Sequence, residues 1–323
     1  FGTGDTAGLM VRGTPAERRK AVGRAVELGI NYFDTSPSYG KLVSETNLGR
    51  VLHEMGIRPV ITTKVEVMPP DVDDIAGAVI RSIEGSLKRL RAEWIDVVEI
   101  HNSAAAKRDP GITWGWMPMS IADFTGPKGA LEGLYRAQKA GKVRYLGICQ
   151  ELDGARHSQQ LLETGSFSLI NLPYNLVNPS AGRPGPPGLS LPTDLGALIN
   201  HAQANGAGAA IFSPLARGVV TDNMVAGGPK HPSSRGVALP DNPQGYAPQQ
   251  RQARALSFLS QPGRSLAQAG FRFVLMHPGV TTVLGGFSSL EHIEELAAVP
   301  DLPALTEQEM VRVEMVWRGN FGL

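Results

Sequence analysis

The sequence predicts an α/β fold of the (β/α)8, TIM-barrel kind, and three observations carry that expectation. Short apolar, β-branched runs alternate with longer amphipathic stretches along all 323 residues. The runs are mostly apolar on both faces, as expected of parallel strands covered by helices. No linker or shift in composition divides the chain, so one barrel domain over residues 1–323 is expected rather than two domains.

Residues 1–4 read as the tail of a first strand. Thr14-Pro15-Ala16-Glu17 opens the first helix, with Thr and Glu at capping-box spacing and Pro where its missing N–H is harmless. Strands are expected at 31–34, 60–64, 95–101, 145–149, 169–171, 209–213 and 282–286. Across 72–89, apolar residues recur at Val72, Ile75, Val79, Ile83 and Leu87, which is a helical period. A helix over 131–140 stops at Gly141, and one over 271–276 runs into His277-Pro278-Gly279. Thr306 and Glu309 form a second capping box, so 306–317 reads as an extra C-terminal helix.

Composition excludes several classes of function. At 42% hydrophobic the chain can bury a large core and is not globally disordered. Lys plus Arg number 31 and Asp plus Glu 30, so no electrostatic footprint for nucleic acid or an anionic membrane exists. No run of apolar residues is long enough to span a bilayer. The lone Cys149 cannot form an internal disulfide, which suits a reducing compartment, and a cytoplasmic location is expected. The chain opens at Phe1 without Met or a basic-then-apolar leader, so we expect no signal peptide and a few residues preceding Phe1. Glycine and proline concentrate in two places: seven of eleven residues over 179–189 and ten of thirty-one over 218–248. Both follow strand ends, where barrel enzymes carry long loops, and we expect them to shape the mouth.

Barrel chemistry sits at C-terminal strand ends. Three consecutive strands end in Asp34, Lys64 and His101, with Tyr39 on the loop above Asp34. A Lys ammonium beside a Tyr favours phenolate and lowers the hydroxyl's pKa from its ordinary value near 10. Asp34 orients the Lys, and His101 directs a substrate oxygen. Tyr39 then moves a proton on oxygen while carbon gains or loses hydride, which is carbonyl reduction or its reverse. Hydride requires a cofactor. Taken singly, Asp34 could cap a turn, Lys64 could be a solvated strand end, and His101 and Tyr39 could simply pack. Gly2-Thr3-Gly4-Asp5-Thr6-Ala7 matches G-x-G-x-x-A, but 9–13 intervene before the helix at Thr14, so a dinucleotide-binding Rossmann unit is set aside. The seven His and one Cys show no metal-ligand spacing, so no metal is expected, and no G-x-S-x-G elbow occurs.

Several motifs in order resemble the aldo-keto reductases. They are Gly29-Ile30-Asn31-Tyr32-Phe33-Asp34-Thr35 with Tyr39-Gly40 and Ser44-Glu45, then Thr63-Lys64, Ser86-Leu87-Lys88-Arg89-Leu90, Ile95-Asp96 and His101. Gly141-Lys142-Val143-Arg144-Tyr145-Leu146-Gly147-Ile148 and Ser213-Pro214-Leu215-Ala216-Arg217-Gly218 complete the set. The resemblance implies a (β/α)8 barrel holding NAD(P)H at its rim, with the tetrad Asp34, Tyr39, Lys64 and His101. It places Gly2 and Thr3 near the nicotinamide ribose, Phe212 on the nicotinamide ring, and Ser213, Leu215 and Arg217 at the pyrophosphate. Gly286, Ser288 and Ser289 fall at the adenosine end.

Departures from the family pattern are informative. Cys149-Gln150 stands where many members have Ser-Asn for the carboxamide, and Asn171 replaces a common Gln. Over 287–292, Phe-Ser-Ser-Leu-Glu-His offers no Lys or Arg for a 2′-phosphate, while Glu291 would repel one and His292 follows it. The expectation is NAD rather than NADP. The resemblance leans towards NAD-linked sugar dehydrogenases of the L-galactose and L-fucose type and related pyridoxal dehydrogenases, oxidising a sugar hemiacetal with Tyr39 as base. A general aldehyde or ketone reductase and a non-catalytic cofactor-binding regulatory subunit remain alternatives. Trp114 and Trp116 could line the pocket for a small carbonyl or sugar substrate, or pack a loop. Oligomeric state is open.

Overall fold

The computed structural model describes residues 1–108, 117–227 and 247–323. Its strands are β1 (Tyr32–Asp34), β2 (Val60–Val65), β3 (Ile95–Ile100), β4 (Ala104–Ala105), β5 (Met119–Ser120), β6 (Val143–Cys149), β7 (Leu169–Pro173), β8 (Gly208–Phe212) and β9 (Val280–Val283). Seven of these form one parallel sheet in the order β1-β2-β3-β6-β7-β8-β9, with helices between them, and β4 and β5 form a separate two-residue ladder. The sheet curls into a nearly closed barrel. Its two edges meet at Gly2, which bridges Asp34 on one side and Gly286 on the other. The Gly2 N–H donates to Gly285 O at 2.8 Å and the Thr3 N–H to Asp34 O at 3.0 Å. The expected first strand is therefore a single bridging residue. Phe1 anchors it by stacking on Phe33, with ring centroids 5.2 Å apart.

Period two along the strands sorts side chains into two layers. Tyr32, Val97, Leu169 and Ala210 pack together inside the barrel. Phe33, Ile61, Val98, Ile100 and Ile170 face outward into the main core shared with the helices. One step further along the inward positions come Asp34, Lys64, Glu99, Cys149 and Asn171, all buried.

The helix expected to open at Thr14 is Pro15–Glu27, with its capping box formed. The 72–89 expectation becomes Ile75–Leu90, because the Asp74 side chain accepts from the Gly77 N–H and sets the start there. The 271–276 segment is the end of Leu266–Leu275, which opens on a Ser265/Gln268 capping box legible in the sequence. Residues 9–12, read as intervening chain, form a short helix. The terminal helix is Glu307–Arg318, with Thr306 and Glu309 capping as expected. The Gly/Pro-rich 179–189 segment packs on this helix: Arg183 pairs with Glu314 and stacks over Trp317, whose indole N–H donates to Leu176 O at 2.7 Å. Asn175, just before the segment, donates to Ser213 O at 3.0 Å and ties the loop to the β8 exit. Most of the 218–248 segment lies outside the described residues.

Candidate active site

The mouth of the barrel is built from the exits of β1, β2 and β3. Parallel register pairs Asp34 with Thr62 and Lys64 with Glu99. Lys64 Nζ donates to Asp34 Oδ2 at 2.5 Å and to Thr35 O at 3.0 Å, and lies 3.9 Å from Glu99 Oε2. Burial opposes the ammonium, yet Asp34, then Tyr39 and Glu99, hold it protonated well above the usual lysine range. Asn171 Nδ2 donates to Glu99 Oε2 at 2.9 Å and to Asp34 Oδ2 at 3.4 Å. Cys149 Sγ donates to the same Glu99 oxygen at 3.2 Å. Its thiol is pushed up by burial and then by Glu99, so it is unreactive.

Tyr39 sits above this floor, its ring centroid 5.1 Å from Lys64 Nζ and 6.2 Å from the His101 ring. The four residues expected at one rim are thus brought together. The expected balance at Tyr39 is corrected, however. Burial raises its hydroxyl by more than Lys64 lowers it, so Tyr39 stays protonated. His101 Nδ1 is 2.8 Å from Glu66 Oε1, which also accepts from Ser36 Oγ at 2.9 Å. Burial opposes ionisation of Glu66, but His101, Ser38 and Ser36 hold its carboxyl down at about 2. Burial lowers His101 despite Glu66, leaving a neutral imidazole at pH 7. A carboxylate only accepts, so the neutral ring carries its proton on Nδ1 and Nε2 is its acceptor nitrogen.

The sequence match agrees with this geometry. The model of the Aldo/keto reductase family matches residues 1–318. The chain belongs to the aldo-keto reductase family. It is 27% identical to L-galactose dehydrogenase of Arabidopsis thaliana over 293 residues, covering 88% of this chain and 78% of that protein. It is 28% identical over 312 residues to a putative voltage-gated potassium channel subunit beta of Schizosaccharomyces pombe, covering 91% and 82%. The fold matches glycerol dehydrogenase from Gluconobacter oxydans with a TM-score of 0.70 at 21% identity, over 98% of this chain and 90% of that one.

Aldo-keto reductases are oxidoreductases that bind NAD(H) or NADP(H), and this chain's residues fit such a group. Asn171 Oδ1 is buried without a hydrogen-bond partner among the described residues, an acceptor that a carboxamide N–H would satisfy. Gly2 lies at the barrel seam, and a Cβ there would come 3.2 Å from Gly285 O. Thr3 is tied inward, donating to Asp34 O at 2.8 Å and accepting from Ser44 Oγ at 2.7 Å. Phe212 ends β8, and after it Ser213, Ala216 and Arg217 all adopt positive φ, of 50°, 48° and 57°. Leu215 packs between them against the core. Arg217 reaches Glu151 at 3.2 Å across the rim.

Gly286 closes the seam with Gly2. Ser289 caps the helix Leu290–Ala297 by accepting from the His292 N–H at 3.4 Å. Ser288 Oγ lies 3.1 Å from His292 Nδ1, and Glu291 is in the first turn. Gln150 accepts from the Ala104 N–H and Ser158 Oγ and donates to Leu152 O, so its amide braces the loop after β6. Trp114 and Trp116 lie outside the described residues.

Two carboxylates at this site, Glu66 and Glu99, went unread in the sequence. Each sits two residues from an expected site residue on the same strand line, Glu66 after Lys64 and Glu99 before His101. Alternation alone places both on the inward face.

Proposed function

We propose that the protein is an NAD-dependent aldose 1-dehydrogenase, oxidising a sugar hemiacetal to a lactone. The Asp34–Lys64–Tyr39 line carries this reading, because it places a proton-transfer hydroxyl over a buried ammonium at the barrel mouth. The similarity to an L-galactose dehydrogenase supports the same substrate class. In this reaction the anomeric carbon loses hydride and its hydroxyl loses a proton, leaving the lactone carbonyl. The nicotinamide, when bound, takes up the hydride. Tyr39 accepts the proton, His101 Nε2 accepts from a neighbouring sugar hydroxyl and so fixes the ring against Tyr39, and Lys64 steadies the phenolate while Asp34 holds Lys64 in place. Because burial keeps Tyr39 protonated, oxidation should quicken as pH rises into the alkaline range.

A second reading, reduction of an aldehyde or ketone, is favoured by that same protonated Tyr39, which is the donor form. Following nicotinamide absorbance with NAD or NADP against aldoses, pyridoxal and aromatic aldehydes separates the two. Aldose-dependent NADH formation rising with pH is expected. Turnover of the aldehydes alone would reject the sugar reading, and cofactor binding without any turnover would point to a regulatory subunit. The same assay addresses the cofactor. Glu291→Lys should move the ratio of kcat/KM towards NADP by about tenfold, one charged contact's worth. A wild-type enzyme that prefers NADP would refute the NAD assignment.

A further inference from the structure

Inside the barrel one ammonium faces two carboxylates. Lys64 is held by Asp34 at 2.5 Å, and Glu99 lies 3.9 Å away on the adjacent strand. Glu99 is fully buried, and room for it is made deliberately: a Cβ on Gly147, its register partner on β6, would come within 2.8 Å of Glu99 Cγ. One of its oxygens accepts from Asn171 Nδ2 at 2.9 Å and from the Cys149 thiol at 3.2 Å. Its other oxygen, Oε1, is buried with no hydrogen-bond partner among the described residues. A permanently charged carboxylate would rarely be left in that condition in a dry interior, whereas one that gains and loses a proton can be.

We propose that Glu99 is a positioning residue for the proton-transfer step, sharing Lys64 with Asp34 and so setting how much of the ammonium's charge reaches the Tyr39 hydroxyl. This rests on the reading of Tyr39 as the acid–base group. The groups facing Glu99 are Lys64 from β2, Asp34 and Tyr32 from β1, Cys149 from β6 and Asn171 from β7. Of these only Lys64 is cationic. Burial raises Glu99, Lys64 pulls it back and Asp34 pushes it up, for a result of about 7. Below that pH Glu99 is neutral, and Lys64 answers Asp34 and Tyr39 alone. Above it a second buried anion draws on Lys64, and the phenolate of Tyr39 becomes harder to form.

Infrared titration of the wild-type chain without cofactor, with the glutamate carboxyl carbons labelled, should show a protonated carboxylic C=O band that fades as pH passes through neutrality. Glu99→Gln should lack that band. The variant's pH profile of kcat/KM should lose the inflection near neutrality, and its Tyr39 limb should move to lower pH. Tyr39→Phe should abolish turnover yet leave the infrared titration unchanged, so failure of the Tyr39 reading is seen separately from failure at Glu99. No band that titrates near neutrality, or superimposable wild-type and Glu99→Gln profiles, would overturn the proposal. The infrared measurement on the wild-type chain keeps it open to refutation even where the variant does not fold.

Discussion

The two ends of β3 each carry a carboxylate, and the molecule treats them in opposite ways. At the N-terminal end Asp96 is fully answered. Arg58 reaches it at 2.7 Å, Arg144 at 3.4 Å and the Ile61 N–H at 3.0 Å, and both guanidinium groups also stack on Trp94. At the C-terminal end Glu99 has one amide, one thiol, a distant and already engaged ammonium, and one oxygen with no partner among the described residues. Satisfying every polar group is how a fold is held. Leaving one unsatisfied costs stability, and such a group persists where something other than stability is served. The bottom of the barrel therefore reads as scaffold and the top as chemistry.

Substitutions at the two ends sharpen that contrast. The largest effect is expected at the mouth. Lys64→Met should lower kcat/KM by about 10³-fold or more, because Tyr39 loses the charge that steadies its phenolate. It should also destabilise the chain by about 3–5 kcal/mol, because Asp34 is left buried without its ammonium. Steady-state kinetics and denaturant unfolding read the two losses.

A smaller effect is expected at Glu66→Gln, about 10- to 100-fold in kcat/KM, the worth of one charged hydrogen bond to His101. Its stability carries a pH signature. A carboxyl held at about 2 in the fold, against an ordinary value of 4.5, stabilises the native state above the ordinary value. That contribution is lost as pH falls through the interval between them. The gap in unfolding midpoint between wild type and variant should therefore be widest near neutrality and close towards pH 2. A constant gap across that range would contradict the pairing.

The smallest effect on catalysis is expected at the scaffold end. Asp96→Asn should cost about 1–3 kcal/mol of stability and leave kcat within about twofold. A large loss of kcat there, with cofactor binding intact, would break the division between the two ends.

Much of this site was legible in the sequence. Asp34, Lys64 and His101 close consecutive strands, and strand ends in parallel register must share a rim, so their proximity follows from the cadence of the chain. Tyr39, five residues after Asp34, could hardly lie elsewhere. The balance of charge was not legible. Chemistry in water predicts that Lys64 lowers Tyr39, and only the depth of the pocket shows that desolvation wins. The partners of Gln150 were not legible for a related reason: Ala104 and Ser158 come from segments 46 residues before and 8 residues after it, and nothing local announces them.

The sequence by itself determined the alternation of strands and helices, the capping boxes at Thr14 and Thr306, and the order in which the tetrad meets the rim. All of these depend on neighbours a few residues apart or on a period of two or 3.6. Tertiary structure alone decided that one residue, Gly2, closes the barrel. It alone seated the 179–189 segment on the terminal helix, and it alone shifted two nearby carboxyls in opposite directions, Glu66 down and Glu99 up. Glu66 and Glu99 are the same residue type on neighbouring strands. What separates them is which groups from distant parts of the chain surround each one, and how much water is left beside it.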